Sequence, residues 1–263
     1  MTQARPMTVA IVQHDIVWED ADATRRHVAP MIAKAAVDGA RVIVLSEMFA
    51  TGFSMNAERI GEDEGGPNEA FLLDCAREHD AYLIASVAQR GADGQYRNNA
   101  VVAGPDGSVR RYAKIHPFTY AGEHKSYAAG SQFLTVTIDG VRMSVFICYD
   151  LRFANEFWAL ADATDAFVVV ANWPAVRGEH WRVLLRARAI ENQAYVIGVN
   201  RVGTVKSSVY EGDSVIIDPL GAVLVECPPG EAVASGELNP ATVSDVRAAL
   251  PFLGDRRDVV TEG

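Results

Sequence analysis

Apolar runs alternate with amphipathic segments at the start of the chain. Met7 to Val12 is an almost unbroken apolar run, which is typical of a strand covered on both faces. From Asp20 to Asp38 the apolar residues recur at helical spacing before Gly39, which predicts an amphipathic helix with Pro30 as a kink or a later start. Arg41 to Leu45 is a second apolar run, so strand, helix and strand follow in the order of a parallel crossover unit.

The following segments mix loops, strands and one helix. Thr51 to Pro67 lacks periodicity and is rich in Gly and acidic residues, which favours a loop that covers a site. Asn68 to Asp80 has helical spacing, and Tyr82 to Ala88 is a third buried strand. Asn99 to Ala103 and Val109 to Ala113 flank a Gly-Pro-Asp-Gly turn and are expected to pair as a hairpin.

The middle of the chain contains a second irregular segment, from Ile115 to Gly130, whose titratable and aromatic side chains are typical of a pocket wall. Phe133 to Ile138 and Val141 to Ile147 should form a hairpin around Asp139-Gly140. Helical and strand patterns then alternate again. The predicted elements are helices over Phe153 to Ala163, Gly178 to Asn192 and Pro240 to Leu250, and strands over Ala166 to Ala171, Ala194 to Val199, Ser214 to Ile217, Ala222 to Val225 and Ala232 to Glu237.

These elements predict an α/β fold. Several predicted strands are apolar on both faces, whereas others contain both apolar and polar residues. Two stacked mixed sheets with helices outside would account for both kinds of strand. The expected architecture is therefore a four-layer α-β-β-α sandwich. No repeat, low-complexity segment or linker divides the 263 residues, so residues 1–263 are interpreted as a single domain with residues 1–6 as a flexible N-terminal extension.

Composition narrows the possible partners and location. The chain has 24 Lys and Arg against 34 Asp and Glu, a formal charge of −10, which disfavours nucleic acid and anionic membranes and favours a small-molecule substrate. Cys75, Cys148 and Cys227 are widely scattered, which indicates a reducing compartment, and the cytoplasm fits best. The chain has neither a signal-peptide pattern nor an apolar stretch near the ~18 residues of a membrane span. Dinucleotide, phosphate-loop and zinc motifs are absent, so no cofactor and no metal are predicted.

Three chemically distinctive residues, Glu47, Lys114 and Cys148, each follow a predicted strand. A carboxylate, an ammonium and a thiol together supply a base, a nucleophile and a cation for developing oxyanion charge, which is what acyl transfer requires. Each residue also has an ordinary structural role. Glu47 can cap a turn, Lys114 can be a solvated charge, and Cys148 can be a small core residue.

The neighbourhoods of these residues resemble the three signature regions of the nitrilase superfamily, in the order found there. The regions are Leu45 to Phe53, Tyr112 to His116 and Ile147 to Phe153. The resemblance covers essentially the whole chain. It implies carbon–nitrogen hydrolase activity on an α-β-β-α sandwich, a catalytic triad of Glu47, Lys114 and Cys148, and a homodimer or larger homo-oligomer.

Two further stretches extend the resemblance. Ala121 to His124 is similar to the loop that bears a second glutamate in the family, which implies that Glu123 orients Lys114 or positions substrate. Within the family the chain most resembles the omega-amidases, which hydrolyse the terminal amide of 2-oxoglutaramate and similar monoamides. The similar segments are Ala171 to Pro174, Arg186 to Val196 and Asn200 to Gly203. Ala154 is a departure, because many relatives have proline there, and it puts the start of the following helix in question.

The expected reaction is amide hydrolysis through a thioester on Cys148. Glu47 would alternate between base and acid, and the backbone N–H of Tyr149 would help to hold the oxyanion. Arg177 is a candidate for binding a substrate carboxylate, and Phe118, Tyr149 and Trp173 are candidates for the apolar wall.

Other chemistries remain open at the level of sequence. The same triad acts on a nitrile, on a carbamoyl group or on the amide of deaminated glutathione in other branches of the family. A Cys–His hydrolase would use His116 or His124 as base. A scaffold with a vestigial triad would show equal reactivity of all its thiols.

Overall fold

The structure is a computed structural model that describes residues 6–257. The predicted N-terminal extension therefore lies outside the described residues, apart from Pro6, which is exposed. The strands are β1 (Met7–Gln13), β2 (Val42–Val44), β3 (Glu62–Asp63), β4 (Tyr82–Arg90), β5 (Tyr96–Ala103), β6 (Val109–Ala113), β7 (Thr135–Ile138), β8 (Val141–Ile147), β9 (Ala166–Ala171), β10 (Tyr195–Asn200), β11 (Val202–Val205), β12 (Ser208–Glu211), β13 (Val215–Ile217), β14 (Val223–Glu226) and β15 (Ala232–Leu238). The helices are α1 (Ala21–Val37), α2 (Ala57–Ile60), α3 (Pro67–His79), α4 (Ala154–Leu160), α5 (Gly178–Asn192) and α6 (Pro240–Ala249).

Two mixed sheets form the centre of the molecule. The first has the order β15-β1-β2-β4-β5-β6, with β3 added beside β4, and the second has the order β14-β13-β10-β9-β8-β7. Strands β1, β2 and β4 run parallel in the first sheet, as do β8, β9 and β10 in the second. Strands β11 and β12 form a separate antiparallel hairpin.

Strand β1 shows why the central strands are apolar on both faces. Val9 and Ile11 belong to the core shared with the second sheet, whereas Ala10 and Val12 belong to the core under the helices. Alternate residues of a strand point to opposite faces, so both sets are buried. The residues of α1 and α3 that cover the outer face are Val28, Ile32, Leu72 and Ala76. This arrangement confirms the predicted sandwich of two stacked sheets with helices outside.

Helix α5 covers the second sheet closely. Trp181 and Leu185 are fully buried, and a Cβ on Gly198 of β10 would clash with Leu185 Cδ1 and lie 3.0 Å from Trp181 Cζ2. Only glycine allows this approach of helix to strand. Helix α4 begins at Ala154 without a side-chain cap from Phe153, so the helix forms although the proline of many relatives is missing.

Sequence patterns located most elements to within a few residues, with two differences. The predicted loop from Thr51 to Pro67 contains α2 and β3. The hairpin of β11 and β12 was not predicted, because its strands are four residues each and mostly exposed. Helix α1 begins at Ala21, where Asp20 caps it, so Pro30 does not delay its start.

Two further predictions concern the whole chain. Across residues 6–257, no helix has both the length and the hydropathy required to cross a bilayer. The interpretation of residues 1–263 as one domain stays a prediction.

Candidate active site

The turn that carries Cys148 has an unusual backbone. Cys148 follows β8 and opens a 3-10 turn with a φ of +46°, in the left-handed region that non-glycine residues rarely adopt. Asp150, fully buried, holds this turn by accepting hydrogen bonds from the backbone N–H of Ile147 at 3.0 Å and the Tyr112 hydroxyl at 2.8 Å. Its other oxygen accepts the backbone N–H of His116 at 2.9 Å. Asp150 thus connects the cysteine turn to the loop that follows Lys114.

A buried ionic cluster lies next to the thiol. The Lys114 Nζ is 2.8 Å from Glu47 Oε1 and 2.9 Å from Glu123 Oε2, and all three side chains are 0–1% exposed. The ring of Phe53 lies 5.1 Å from the same ammonium. The structure therefore brings together residues that the sequence separates widely, and the charges of Glu47 and Lys114 both act on the Cys148 thiol.

The hydrogen bonds distinguish the two carboxylates. Glu47 Oε1 accepts from Lys114 and from Asn98 Nδ2, both at 2.8 Å, whereas Oε2 has one donor among the described residues, the backbone N–H of Asn172 at 2.8 Å. Each carboxylate oxygen can accept about two hydrogen bonds, so Oε2 keeps one free acceptor position.

Glu123 has no comparable vacancy. Its Oε1 accepts from Asn98 at 3.2 Å and Lys114 at 3.1 Å, and its Oε2 accepts from Lys114 at 2.9 Å and from the Phe118 backbone N–H at 2.5 Å. With both oxygens engaged twice, Glu123 is suited to holding Lys114 rather than to exchanging a proton.

Burial and charge set the protonation of the cluster. Burial, and next the charge of Glu47, raise the pKa of the Cys148 thiol well above its ordinary value, while Lys114 opposes them. Burial alone would lower the pKa of Lys114, but the carboxylates of Glu123 and Glu47 outweigh it and raise that pKa. At neutral pH, Lys114 is therefore charged and Cys148 is a thiol, which needs a base before it can attack.

The other two cysteines have different surroundings. Cys75 and Cys227 are buried, and burial raises the pKa of their thiols to about 11 and about 12. Cys148 alone of the three is partly exposed and lines a cavity. Cys75 belongs to the hydrophobic core under α3.

A cavity of about 520 Å³ opens beside Cys148. Tyr149, Phe118, Trp173 and Arg177, which the sequence suggested as binding residues, all lie in its wall. The Phe118 and Tyr149 rings are in contact, with centroids 4.8 Å apart. Tyr149 is the second residue of the 3-10 turn, where a backbone N–H has no acceptor within the turn.

The cavity wall is cationic although the chain is acidic. Arg152, Arg177 and Lys206 line it, and no Asp or Glu among the described residues does. The Arg177 guanidinium lies 5.6 Å from the Phe118 ring, and that of Arg152 lies 4.8 Å from the Trp173 ring. None of the three cations forms a salt bridge within residues 6–257. They are therefore available to an anionic ligand.

Several residues at the site were not singled out from the sequence as site residues. Asn98 and Asp150 lie in strand and turn segments where only tertiary contacts reveal a role, and the tip of the unpredicted β11–β12 hairpin carries Lys206. Asn98 gave no distinctive signal, since its neighbours in β5, Arg97 and Asn99, are polar as well.

The histidines of the alternative Cys–His reaction lie elsewhere. His116 Nδ1 faces Asp150 at 3.1 Å and its Nε2 lies 3.5 Å from Glu156, while His124 is exposed. Neither residue lines the cavity that contains Cys148. Among residues 6–257, His, Cys, Asp and Glu side chains form no group of three or more that could bind a metal ion.

Comparison with known proteins gives consistent matches over nearly the whole chain. The sequence model of the carbon-nitrogen hydrolase family matches residues 8–248. The omega-amidase YafV of Yersinia enterocolitica is 40% identical over 256 residues, 95% of this chain and 96% of that protein. The 2-oxoglutaramate amidase of Bacillus subtilis is 32% identical over 95% of this chain and 97% of its own length. A CN-hydrolase superfamily protein of Xanthomonas campestris, whose structure carries an arsenic adduct in the active site, superposes with a TM-score of 0.92 at 34% identity, covering 98% of this chain and 100% of its own.

Proposed function

Because the chain belongs to the carbon–nitrogen hydrolase family, we propose that it hydrolyses the terminal amide of a small carboxylate monoamide to the acid and ammonia. The proposed substrates are of the 2-oxoglutaramate or succinamate type. The observation that carries the proposal is the buried cluster of Glu47, Lys114 and Glu123 next to the Cys148 thiol, beside a cavity whose charged wall residues are all cations.

The first step forms a tetrahedral adduct. Glu47 Oε2, the carboxylate oxygen with a free acceptor position, takes the thiol proton as sulfur attacks the amide carbon. The carbonyl electron pair moves onto oxygen. One Lys114 N–H bonds Glu47 and a second is shared by the two Glu123 oxygens, so a third remains for the oxyanion, together with the N–H of Tyr149.

The second step releases ammonia. The carbon–nitrogen bond breaks, its electron pair leaves with nitrogen, and Glu47 returns the proton to give ammonia and a thioester on Cys148. A water molecule then attacks the thioester carbon while Glu47 takes one of its protons. Collapse of this second adduct breaks the carbon–sulfur bond, and Glu47 protonates the departing sulfur. The sum is amide plus water giving acid plus ammonia.

Arg177 is the proposed partner of the substrate carboxylate. Its guanidinium is half-buried, stacks near Phe118, and has no carboxylate partner among the described residues. A guanidinium binds a carboxylate through two parallel hydrogen bonds, which fixes the orientation of the substrate as well as its charge. Phe118 and Trp173 supply the apolar wall along the carbon chain.

A second candidate substrate is the amide of deaminated glutathione. The cavity volume of about 520 Å³ lies within the range of sites for drug-sized ligands, so it admits a tripeptide-sized amide as well as a five-carbon one. The cytoplasmic location and the homodimeric or larger assembly expected from the sequence stay predictions.

Ammonia release from a substrate panel tests the proposal. The panel contains 2-oxoglutaramate, succinamate, the neutral isostere butyramide, deaminated glutathione, a nitrile and a carbamoyl compound. We expect the two carboxylate monoamides to have the highest kcat/KM, and Cys148→Ala to abolish turnover. Mass spectrometry of acid-quenched wild-type protein should detect the acyl group on Cys148. Near-normal turnover by Cys148→Ala would contradict the thioester mechanism, and a preference for butyramide would contradict the substrate class.

A further inference from the structure

Asn98 lies between the two buried carboxylates and also contacts the lysine. Its Nδ2 donates to Glu47 Oε1 at 2.8 Å and to Glu123 Oε1 at 3.2 Å, and its backbone carbonyl accepts the backbone N–H of Lys114 at 2.9 Å. The residue is 1% exposed. We propose that Asn98 is a positioning residue of the hydrolysis, which keeps Glu47 ionised and directs its Oε2 to the thiol. This inference rests on the function proposed above.

The orientation of the Asn98 amide is fixed from behind by Ser86. The Ser86 hydroxyl oxygen accepts the backbone N–H of Met48 at 2.7 Å, so its own proton is directed to Asn98 Oδ1 at 2.8 Å. Ser86 is fully buried, so water cannot replace either bond. A flipped amide would set its oxygen against two carboxylates and its NH₂ against the serine proton. The Asn98 NH₂ group therefore faces Glu47 and Glu123.

An amide suits this position because the cluster already has an excess of negative charge. Glu47 and Glu123 face one ammonium, and burial raises the pKa of Glu123 because it makes the ionised carboxylate costly. Asn98 gives one donor to each carboxylate without adding charge. It also fills the second acceptor position on Glu47 Oε1, so that Oε2 is the oxygen left to accept a proton.

The charges around Glu47 determine how kcat/KM should depend on pH. Among the described residues, the titratable groups whose pKa responds to the charge of Glu47 include Lys114, Glu123, Cys148, Tyr127 and Tyr210, and each of these groups has a raised pKa. The lysine thus stays charged and the thiol and phenols stay neutral through the acid range. General-base catalysis requires an ionised base, so the acid limb of kcat/KM is the measurement on which the loss of Asn98 should act.

Asn98→Ala tests the assignment, with Asn99→Ala as its matched control. Asn99 is the next residue of β5, is 5% exposed, and donates to Gln89 Oε1 at 3.0 Å on the opposite side of the strand. Loss of a hydrogen bond to an ionised group changes its ionisation by about tenfold or more. We expect Asn98→Ala to lower kcat/KM by about 10- to 100-fold and to move the acid limb up by about one pH unit. Asn99→Ala should leave the limb in place.

Ser86→Ala provides a second measurement, which applies even if Asn98→Ala does not fold. It keeps Asn98 but removes the bond that orients the amide, so we expect a smaller loss of activity and a shift of the acid limb in the same direction. Glu47→Gln is measured in the same assay. If Glu47→Gln kept turnover, the proposed function would fail first. If Glu47→Gln were inactive while neither Asn98→Ala nor Ser86→Ala moved the limb beyond the Asn99→Ala value, the assignment of Asn98 would be overturned.

Discussion

Replacing Arg177 with glutamine tests whether Arg177 binds the substrate carboxylate, and it leaves Cys148 and its neighbours unchanged. The side chain is half-buried in the cavity wall and has no carboxylate partner in the described part of the chain. Glutamine keeps a polar side chain but loses the charge and the two-pronged donor geometry. The loss should therefore fall on substrates that carry a carboxylate.

The magnitude follows from the partial exposure of Arg177. A hydrogen bond to a charged group contributes ~1.5–3 kcal/mol when it is well buried, and solvent screening brings a half-buried pair to the lower part of that range. A loss of about 1.5–2 kcal/mol corresponds to a fall of roughly 10- to 30-fold in kcat/KM. Because the carboxylate is remote from the reacting amide, KM should rise more than kcat falls.

The assay compares succinamate with butyramide, which has a methyl group in place of the carboxylate. We expect Arg177→Gln to lower kcat/KM for succinamate by the roughly 10- to 30-fold worked out above, and to change kcat/KM for butyramide by less than about threefold. Arg186 lies exposed on α5 away from the cavity, so Arg186→Gln is the matched control for the loss of a charge. Equal losses on both amides, or no loss on succinamate, would remove Arg177 from substrate binding.

Three further predictions concern the thiol, its turn and a buried histidine. Glu47→Gln removes the charge that raises the Cys148 pKa and leaves Lys114 to lower it, so the midpoint of iodoacetamide alkylation against pH should fall while amide turnover is lost; an unchanged or higher midpoint would contradict this. Asp150→Ala leaves the buried N–H of Ile147, the partly buried N–H of His116 and the Tyr112 hydroxyl without their acceptor, so urea unfolding should show a loss of about 3 kcal/mol or more, and a loss below about 1 kcal/mol would contradict the role of Asp150. Burial lowers the pKa of His14 to about 4 in the folded protein. As the pH falls below 6.5, His14 is therefore protonated in the unfolded chain before it is protonated in the folded one, and about 3 kcal/mol of the free energy of unfolding should be lost between pH 6.5 and 4. His14→Gln should flatten that part of the stability curve, and an unchanged slope would contradict the assignment.

Most of the fold follows from local patterns because the central strands are buried on both faces. Runs such as Phe167 to Val170 allow no interpretation except a covered strand once their length is considered. The β11–β12 hairpin was missed for the converse reason. Its strands are short and exposed, so hydrophobic periodicity carries little information about them.

The candidate site was predictable only in part. Glu47, Lys114 and Cys148 could be found because each follows a strand and carries distinctive chemistry, whereas Glu123 was found only through resemblance to a family. The role of Asn98 depends on its side-chain partners across the sheet, and sequence spacing does not reveal those. The tertiary structure was needed to show which carboxylate oxygen is free.

The reacting groups come from both sheets, which makes activity sensitive to how the sheets lie against each other. Glu47 and Lys114 follow strands of the first sheet, whereas Cys148 and Asn172 follow strands of the second. The hydrogen bond from the Asn172 N–H to Glu47 spans this junction. A small shift of one sheet relative to the other on warming would separate the Glu47 carboxylate from the Cys148 thiol, while each sheet kept its own backbone hydrogen bonds. Heat should therefore inactivate the enzyme at temperatures below those at which circular dichroism detects melting.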